Sequence, residues 1–149
     1  MEEEKIIVVN KQVKRNYDIV DTKEAGIELQ GYEVKSVRQG KVNLKGSFVK
    51  EKNGEFFVYK MFIGMNPSVH SVKDERRRRK LLLHKYEIIR WSTKVKEKGY
   101  TIVPLDVHTV RNRIKLRIAL VRSKKLFGDK RKKEEERLKK EINRARRLR

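Results

Sequence analysis

Between residues 114 and 120 the chain keeps a strict period of two. Ile114, Leu116, Ile118 and Leu120 fall on one side, Lys115 and Arg117 on the other. A β-strand puts every second side chain on one face, so this segment lies with one face on a core and one in water. A strand needs partners, and the chain supplies them. Ser47 to Lys50 and Glu55 to Tyr59 flank Asn53-Gly54, a pair that supplies the positive φ angles of a type I′ turn and predicts a hairpin. Tyr17 to Thr22 and Ala25 to Leu29 read as short strands around a turn at Lys23-Glu24. Tyr100 to Leu105 and Val107 to Val110 read as two more.

Two segments have helical character. Gly31 to Gly40 carries Val34 and Val37 three apart between bounding glycines. Asp74 to Lys98 reads as a longer helix, with Asp74 and Glu75 suited to the positive end of its dipole and Lys96 and Lys98 to the negative end. Gly99 stands where a left-handed C-terminal cap belongs. Ile88, Trp91 and Val95 share one face. Within this segment the five consecutive cations Arg76 to Lys80 oppose a helix in isolation. The pattern is mainly β, and a small antiparallel barrel with flanking helices would satisfy the edges of so many short strands.

Charge then separates a body from a tail. The chain carries 41 Lys and Arg against 20 Asp and Glu, for a net charge of +21. From Arg122 to Arg149 there are 14 basic and 5 acidic residues, +9 over 28 positions, about three times the charge density of the preceding part. We expect a folded domain over 1–122 and a basic C-terminal tail over 123–149. The tail's Glu135–Lys139 and Glu136–Lys140 pairs favour helix. Its apolar stripe of Leu138, Ile142 and Ala145 is too thin to dock on a core. Such a tail is expected to be disordered alone and helical against a polyanion.

This charge calls for a polyanionic partner. Nucleic acid fits better than a membrane: no run approaches a membrane span, and no lipidation motif is visible. Met1-Glu2-Glu3-Glu4 is acidic where a secretory leader would be basic. With no cysteine, disulfides and thiolate chemistry are excluded. His70, His84 and His108 have no metal-ligand spacing and read as surface or barrel-rim residues. No nucleophile elbow or phosphate-binding loop is present, so neither an enzyme nor a cofactor is expected. Three basic features remain. Lys11, Lys14 and Arg15 lie beside Asn10, Asn16 and Tyr17, combining phosphate-neutralising cations with side chains that bond or stack on bases. The Arg76 to Lys80 run and the tail are the others. From residue types alone each is also open to a bland reading as a solvated surface.

Ordered motif blocks narrow the choice. They are Asn10-Lys11, Tyr17, Glu24-Ala25-Gly26-Ile27, Gly31-Tyr32-Glu33-Val34-Lys35-Ser36-Val37-Arg38-Gln39-Gly40-Lys41, Arg79-Lys80-Leu81-Leu82-Leu83-His84, Gly99-Tyr100-Thr101-Ile102-Val103-Pro104-Leu105 and Asp129-Lys130-Arg131. In these the chain resembles the SsrA-binding protein (small protein B) family along nearly its whole length. The resemblance implies an oligonucleotide-binding-type β-barrel. It also implies a cytoplasmic protein that binds the transfer-RNA-like domain of transfer-messenger RNA and, with elongation factor Tu acting through the charged RNA, delivers it to stalled ribosomes. The tail would enter the empty message channel at the decoding centre of the small subunit. By matching position, Asn10, Tyr17, Glu24 and Leu82 are expected on the RNA-binding face, and the cations Lys11, Lys14, Arg15, Lys35, Arg38, Arg79 and Lys80 are expected to contribute to it as well. Lys124, Lys125, Asp129, Lys130 and Arg131 are expected to begin the ribosome-facing tail. The chain departs from the family pattern at Ser123, where a glycine is usual, at Leu126-Phe127-Gly128, one residue longer than usual, and at His108-Thr109, where an aromatic pair is usual. The rival readings are a ribosomal RNA-binding module without a role in rescue, a basic nuclease and a polybasic membrane-surface protein.

Overall fold

The computed structural model describes residues 3–64, 74–124 and 137–144. The elements run in the order β1 (Glu4–Val9), α1 (Val13–Asn16), β2 (Tyr17–Ile27), α2 (Gly31–Arg38), β3 (Val42–Asn43), β4 (Phe48–Lys52), β5 (Glu55–Tyr59), β6 (Phe62–Ile63), β7 (Arg79–Leu82), α3 (Lys85–Lys98), β8 (Thr101–Val110) and β9 (Arg113–Ser123). The main sheet has the order β1-β8-β4-β5-β7-β2-β9, and a further β8–β9 pairing closes it. Six strands therefore form an antiparallel ring, with β1 added outside it on β8. The fold is mainly β, as the alternation predicts.

The barrel interior is filled from every wall. Ala25, Val49, Phe56, Val58, Leu81, Ile102, Val107, Leu116, Ile118 and Leu120 belong to one buried cluster. Helix α3 adds Ile88 and Trp91, with Val95 packed at the edge. Burial of a large apolar side chain contributes roughly 2–3 kcal/mol, so this single cluster is the main source of stability. The Trp91 indole N–H donates to Asp21 Oδ2 at 3.3 Å, and Lys23 lies 5.7 Å from the ring centroid. The β4–β5 hairpin turns at Asn53 and Gly54, with φ of 53° and 79°, as a type I′ turn requires. Gly99 caps α3 with φ 68° and donates to the Val95 carbonyl at 3.0 Å.

Three expectations need correction, and one strand joins them. There is no turn at Lys23-Glu24. Strand β2 runs unbroken, and those residues pair with Ile118 and Arg117 of β9; the long alternating partner holds charged residues in an extended line. The helix expected from Asp74 starts only at Lys85. Residues Arg79–Leu82 form β7, because Arg79 and Leu81 point inward at strand spacing. The helix start is set by a capping box: Glu87 accepts from the His84 backbone N–H while the His84 side chain receives the N–H of Glu87. Val107–Val110 is not a separate strand; β8 continues through Pro104, and a register shift lies between Pro104 and Asp106. Finally, β1 was not anticipated. Its burial pattern shows no clean alternation, and it rests on the barrel as an added edge.

At the proposed domain boundary β9 ends at Ser123. Lys124 Nζ then donates to the Lys14 carbonyl at 3.0 Å and lies 3.8 Å from Asp18. Residues 137–144 are helical with exposed side chains. The rest of the tail, including Lys125, Asp129, Lys130 and Arg131, and also His70, lie outside the described residues. Among the described residues no helix is long and apolar enough to cross a membrane.

Candidate nucleic-acid interface

The run Arg76 to Lys80 divides by burial into two groups. Arg76 and Arg78 are exposed, each with its guanidinium 5.0 Å from an aromatic ring, Phe62 and Phe57 respectively. Arg79 is 1% exposed. Its Nε donates to Glu33 Oε2 at 2.6 Å, and its other nitrogens donate to the Met61 and Glu75 carbonyls. Arg77 bonds the second Glu33 oxygen. Glu33 is itself fully buried on α2 and also caps that helix through the Gln30 N–H. Burial by itself would raise the Glu33 carboxyl, but Arg77, the Gln30 N–H and Arg79 outweigh it and hold the group below its ordinary range. Burial pulls the Arg79 guanidinium down against the pull of Glu33, yet a guanidinium stays charged. Arg79 is thus spent inside the fold and is unavailable to a phosphate, which corrects its place among the expected RNA contacts. Its role is to pin α2 to β7.

Where β2 meets β7, the chain forms an open groove of about 640 Å³. Its walls include Glu24, Lys80, Leu82, His84, Tyr86 and Lys115. Leu82 is 49% exposed and Tyr86 is 68% exposed, an unusual outlay of apolar surface beside cations. The His84 and Tyr86 rings stack with centroids 5.4 Å apart and planes 10° off parallel. Lys80 lies 3.8 Å from Glu55. On the groove wall, Glu87 bonds Lys23 at 3.1 Å. Burial would raise Glu87, but Lys23 and the His84 N–H prevail and hold it low. The groove offers cations for phosphates, apolar and aromatic surface for unstacked bases, and a carboxylate for base N–H groups.

Glu24 is held from beneath. Its Oε2 lies 3.0 Å from His108 Nε2, and His108 Nδ1 lies 2.7 Å from Asp106 Oδ1. Arg117 donates to Asp106 Oδ2 at 2.8 Å and also to Glu4. Burial would lower Arg117; Glu4 and Asp106 raise it instead. From its sequence context His108 reads as a surface or barrel-rim residue, whereas its side chain is fully buried. The available signal was Asp106 and His108 two apart in a strand, hence on one face. Among the described residues Glu4, Asp106 and His108 bring ligand-type atoms within 4.8 Å of one another. The Arg117 guanidinium already bonds both carboxylates there, so a cation would have to displace it.

The other expected residues fall elsewhere. Asn10 is half-buried and donates to the Pro104 carbonyl at 3.1 Å, tying the β1–α1 corner to β8. Lys11, Lys14 and Arg15 are exposed around α1, and Tyr17 is half-buried at the start of β2. Arg15, Tyr17 and Lys124 share a surface concavity. Tyr17 and Glu24 are separated by seven steps along β2, roughly 20 Å. The structure therefore splits the expected face into two ends, one at the groove and one at α1. Lys35 and Arg38 are exposed on α2, with Arg38 donating to the Asn112 carbonyl at 2.5 Å.

Residues 7–148 match the family model described as SmpB protein. The chain is 47% identical to an SsrA-binding protein of Aquifex aeolicus (strain VF5) over 142 residues, covering 93% of this chain and 89% of that protein. It is 48% identical to the SsrA-binding protein of Persephonella marina over 121 residues, 80% of each. A chain in the solved structure described as "tmRNA-SmpB: a journey to the center of the bacterial ribosome" superposes with a TM-score of 0.66 at 41% identity, over 78% of this chain and 83% of that one.

Proposed function

This chain belongs to the SmpB family of SsrA-binding proteins, and from that premise we propose that it binds the transfer-RNA-like domain of transfer-messenger RNA and delivers it to stalled ribosomes for trans-translation. The observation that carries the reading is the family match over residues 7–148, which includes the folded body and the tail together. The groove gives the reading its chemistry. Folded RNA exposes phosphates along its ribs and unstacked bases at its corners, and the groove walls hold partners for both. A folded RNA laid along β2 reaches the groove at Glu24, Lys80 and Leu82 and the basic edge at Lys11, Lys14, Arg15 and Tyr17. Lys35 and Arg38 add charge on α2. Asn10 acts by fixing that edge to β8.

Residues 1–122 are the RNA-binding domain in this reading, and 123–149 the ribosome-facing tail. Lys124 starts the tail beside α1; Lys125, Asp129, Lys130 and Arg131 lead it into the empty message channel near the decoding centre. Elongation factor Tu is reached through the charged RNA, and the site of action is the cytoplasm, where ribosomes work. Binding and positioning are the whole of the activity; no covalent step is assigned to the chain.

The test is to sequence the RNA that co-purifies with the full chain at physiological salt. Transfer-messenger RNA should dominate; recovery in proportion to bulk ribosomal RNA would overturn the reading. Deleting Asp129 to Arg149 should leave RNA binding nearly unchanged and abolish tagging on ribosomes.

A further inference from the structure

We propose that His108 is a positioning residue for base recognition: it fixes the Glu24 carboxylate so that the other oxygen accepts an N–H from an unstacked base lying in the groove. This rests on the RNA-binding reading above. The geometry is a chain of bonds that starts on the outer face of the barrel, at the half-buried Arg117, and ends at the groove. Arg117 holds Asp106 at 2.8 Å, Asp106 holds His108 Nδ1 at 2.7 Å, and His108 Nε2 meets Glu24 Oε2 at 3.0 Å. Each ring nitrogen thus faces a carboxylate oxygen. The side chain of His108 is 0% exposed while that of Glu24 is 44% exposed. A buried rigid ring therefore orients a carboxylate that faces solvent.

Two further observations point to a base as what that carboxylate meets. Glu24 shares its groove with exposed Leu82 and with Tyr86, whose ring is stacked on His84; these are surfaces for a π-face, not for a phosphate. A carboxylate facing RNA is repelled by phosphates, and base N–H donors are the groups that offset this. An unsupported glutamate would lose side-chain freedom on binding; one already held by His108 has lost it beforehand. The competing account is a strap, in which the cluster serves to pin β1 through Glu4 and Arg117.

The test uses the full chain and the isolated transfer-RNA-like domain of transfer-messenger RNA. Two substitutions at the same position separate the two ring nitrogens. His108→Gln places an amide N–H near the Nε2 position and keeps the bond to Glu24; His108→Asn reaches only the Asp106 side. His108→Asn should weaken RNA binding roughly tenfold, the scale of one lost charge-assisted bond, while His108→Gln stays within about threefold of wild type. In a Glu24→Ala background His108→Asn should have no further effect on affinity. Equal losses for Asn and Gln, or an undiminished loss in the Glu24→Ala background, would overturn the proposal in favour of the strap. Thermal melts of each variant keep folding and binding apart. Should His108→Asn fail to fold, the decision passes to Glu24→Gln, which still accepts from His108. Its amide can turn an N–H toward the base, so binding should weaken; wild-type affinity there would overturn the proposal. Failure of the functional reading would appear differently, as wild-type protein with no preference for the transfer-RNA-like domain.

Discussion

Two charged clusters sit in the same fold, one of glutamate with arginines, the other adding histidine and aspartate to them. Around Glu33, both carboxylate oxygens are taken by Arg77 and Arg79, and neither Glu33 nor Arg79 reaches solvent. Around Glu24, one oxygen is taken by His108 and the side chain remains 44% exposed. The first cluster is closed around its carboxylate, with Arg77 alone reaching solvent, and it holds the fold together. The second is open on one side and can act on something outside. The comparison teaches that in a chain this basic, the functional charges are recognised by what they leave unsatisfied, not by where they fall in a run.

The comparison can be broken most forcefully at Glu33. Glu33→Ala leaves Arg79 buried without its partner and should cost about 3–5 kcal/mol in urea unfolding. Replacing both ends of the pair, Glu33→Leu with Arg79→Met, should cost far less, because no charge is then stranded. A mild Glu33→Ala would mean the cluster is not closed. Acid should act on the same pair more gently. The Glu33 carboxyl is held below its ordinary 4.5, so its contribution is complete above that value. It fades as pH falls through the lower folded value, where the folded state at last takes up the proton. Thermal melts between about pH 3 and about pH 6 should show this loss in wild type and a flatter profile in Glu33→Leu with Arg79→Met.

At the open cluster the expectation reverses. Glu24→Ala should cost about 1 kcal/mol or less in stability but lower affinity for the transfer-RNA-like domain roughly tenfold. A large stability loss with unchanged affinity would move Glu24 into the structural class. The smallest effect is expected outside both clusters. Arg78→Ala should leave stability within about 0.5 kcal/mol and lower the salt-dependence slope of RNA binding by about 0.7–0.9, one phosphate contact. An unchanged slope would place Arg78 away from the RNA.

What the sequence made legible was whatever depends on neighbours in the chain. The β4–β5 hairpin follows from Asn53-Gly54, β9 from its alternation, and the end of α3 from Gly99. What it hid depends on partners far away. Arg79 reads as one of five equivalent cations until Glu33, on another element, is known to lie against it. His108 reads as a rim histidine until Glu24 and Asp106 are seen on either side of its ring. The supposed turn at Lys23-Glu24 was misread for the same reason: a long strand on β9 overrides a locally polar pair. Residue types at the candidate site were visible through motif blocks, but their division between groove, α1 edge and interior was not.

The ring of strands closes late. Strand β2 takes its partner from β9, with Tyr17 opposite Ser123, so early-made residues wait for nearly the last folded ones. Until β9 is made, the sheet stays open along both β2 and β8. A chain broken off upstream of residue 113 would therefore lack the one strand that joins β2 to β8, and the ring could not close.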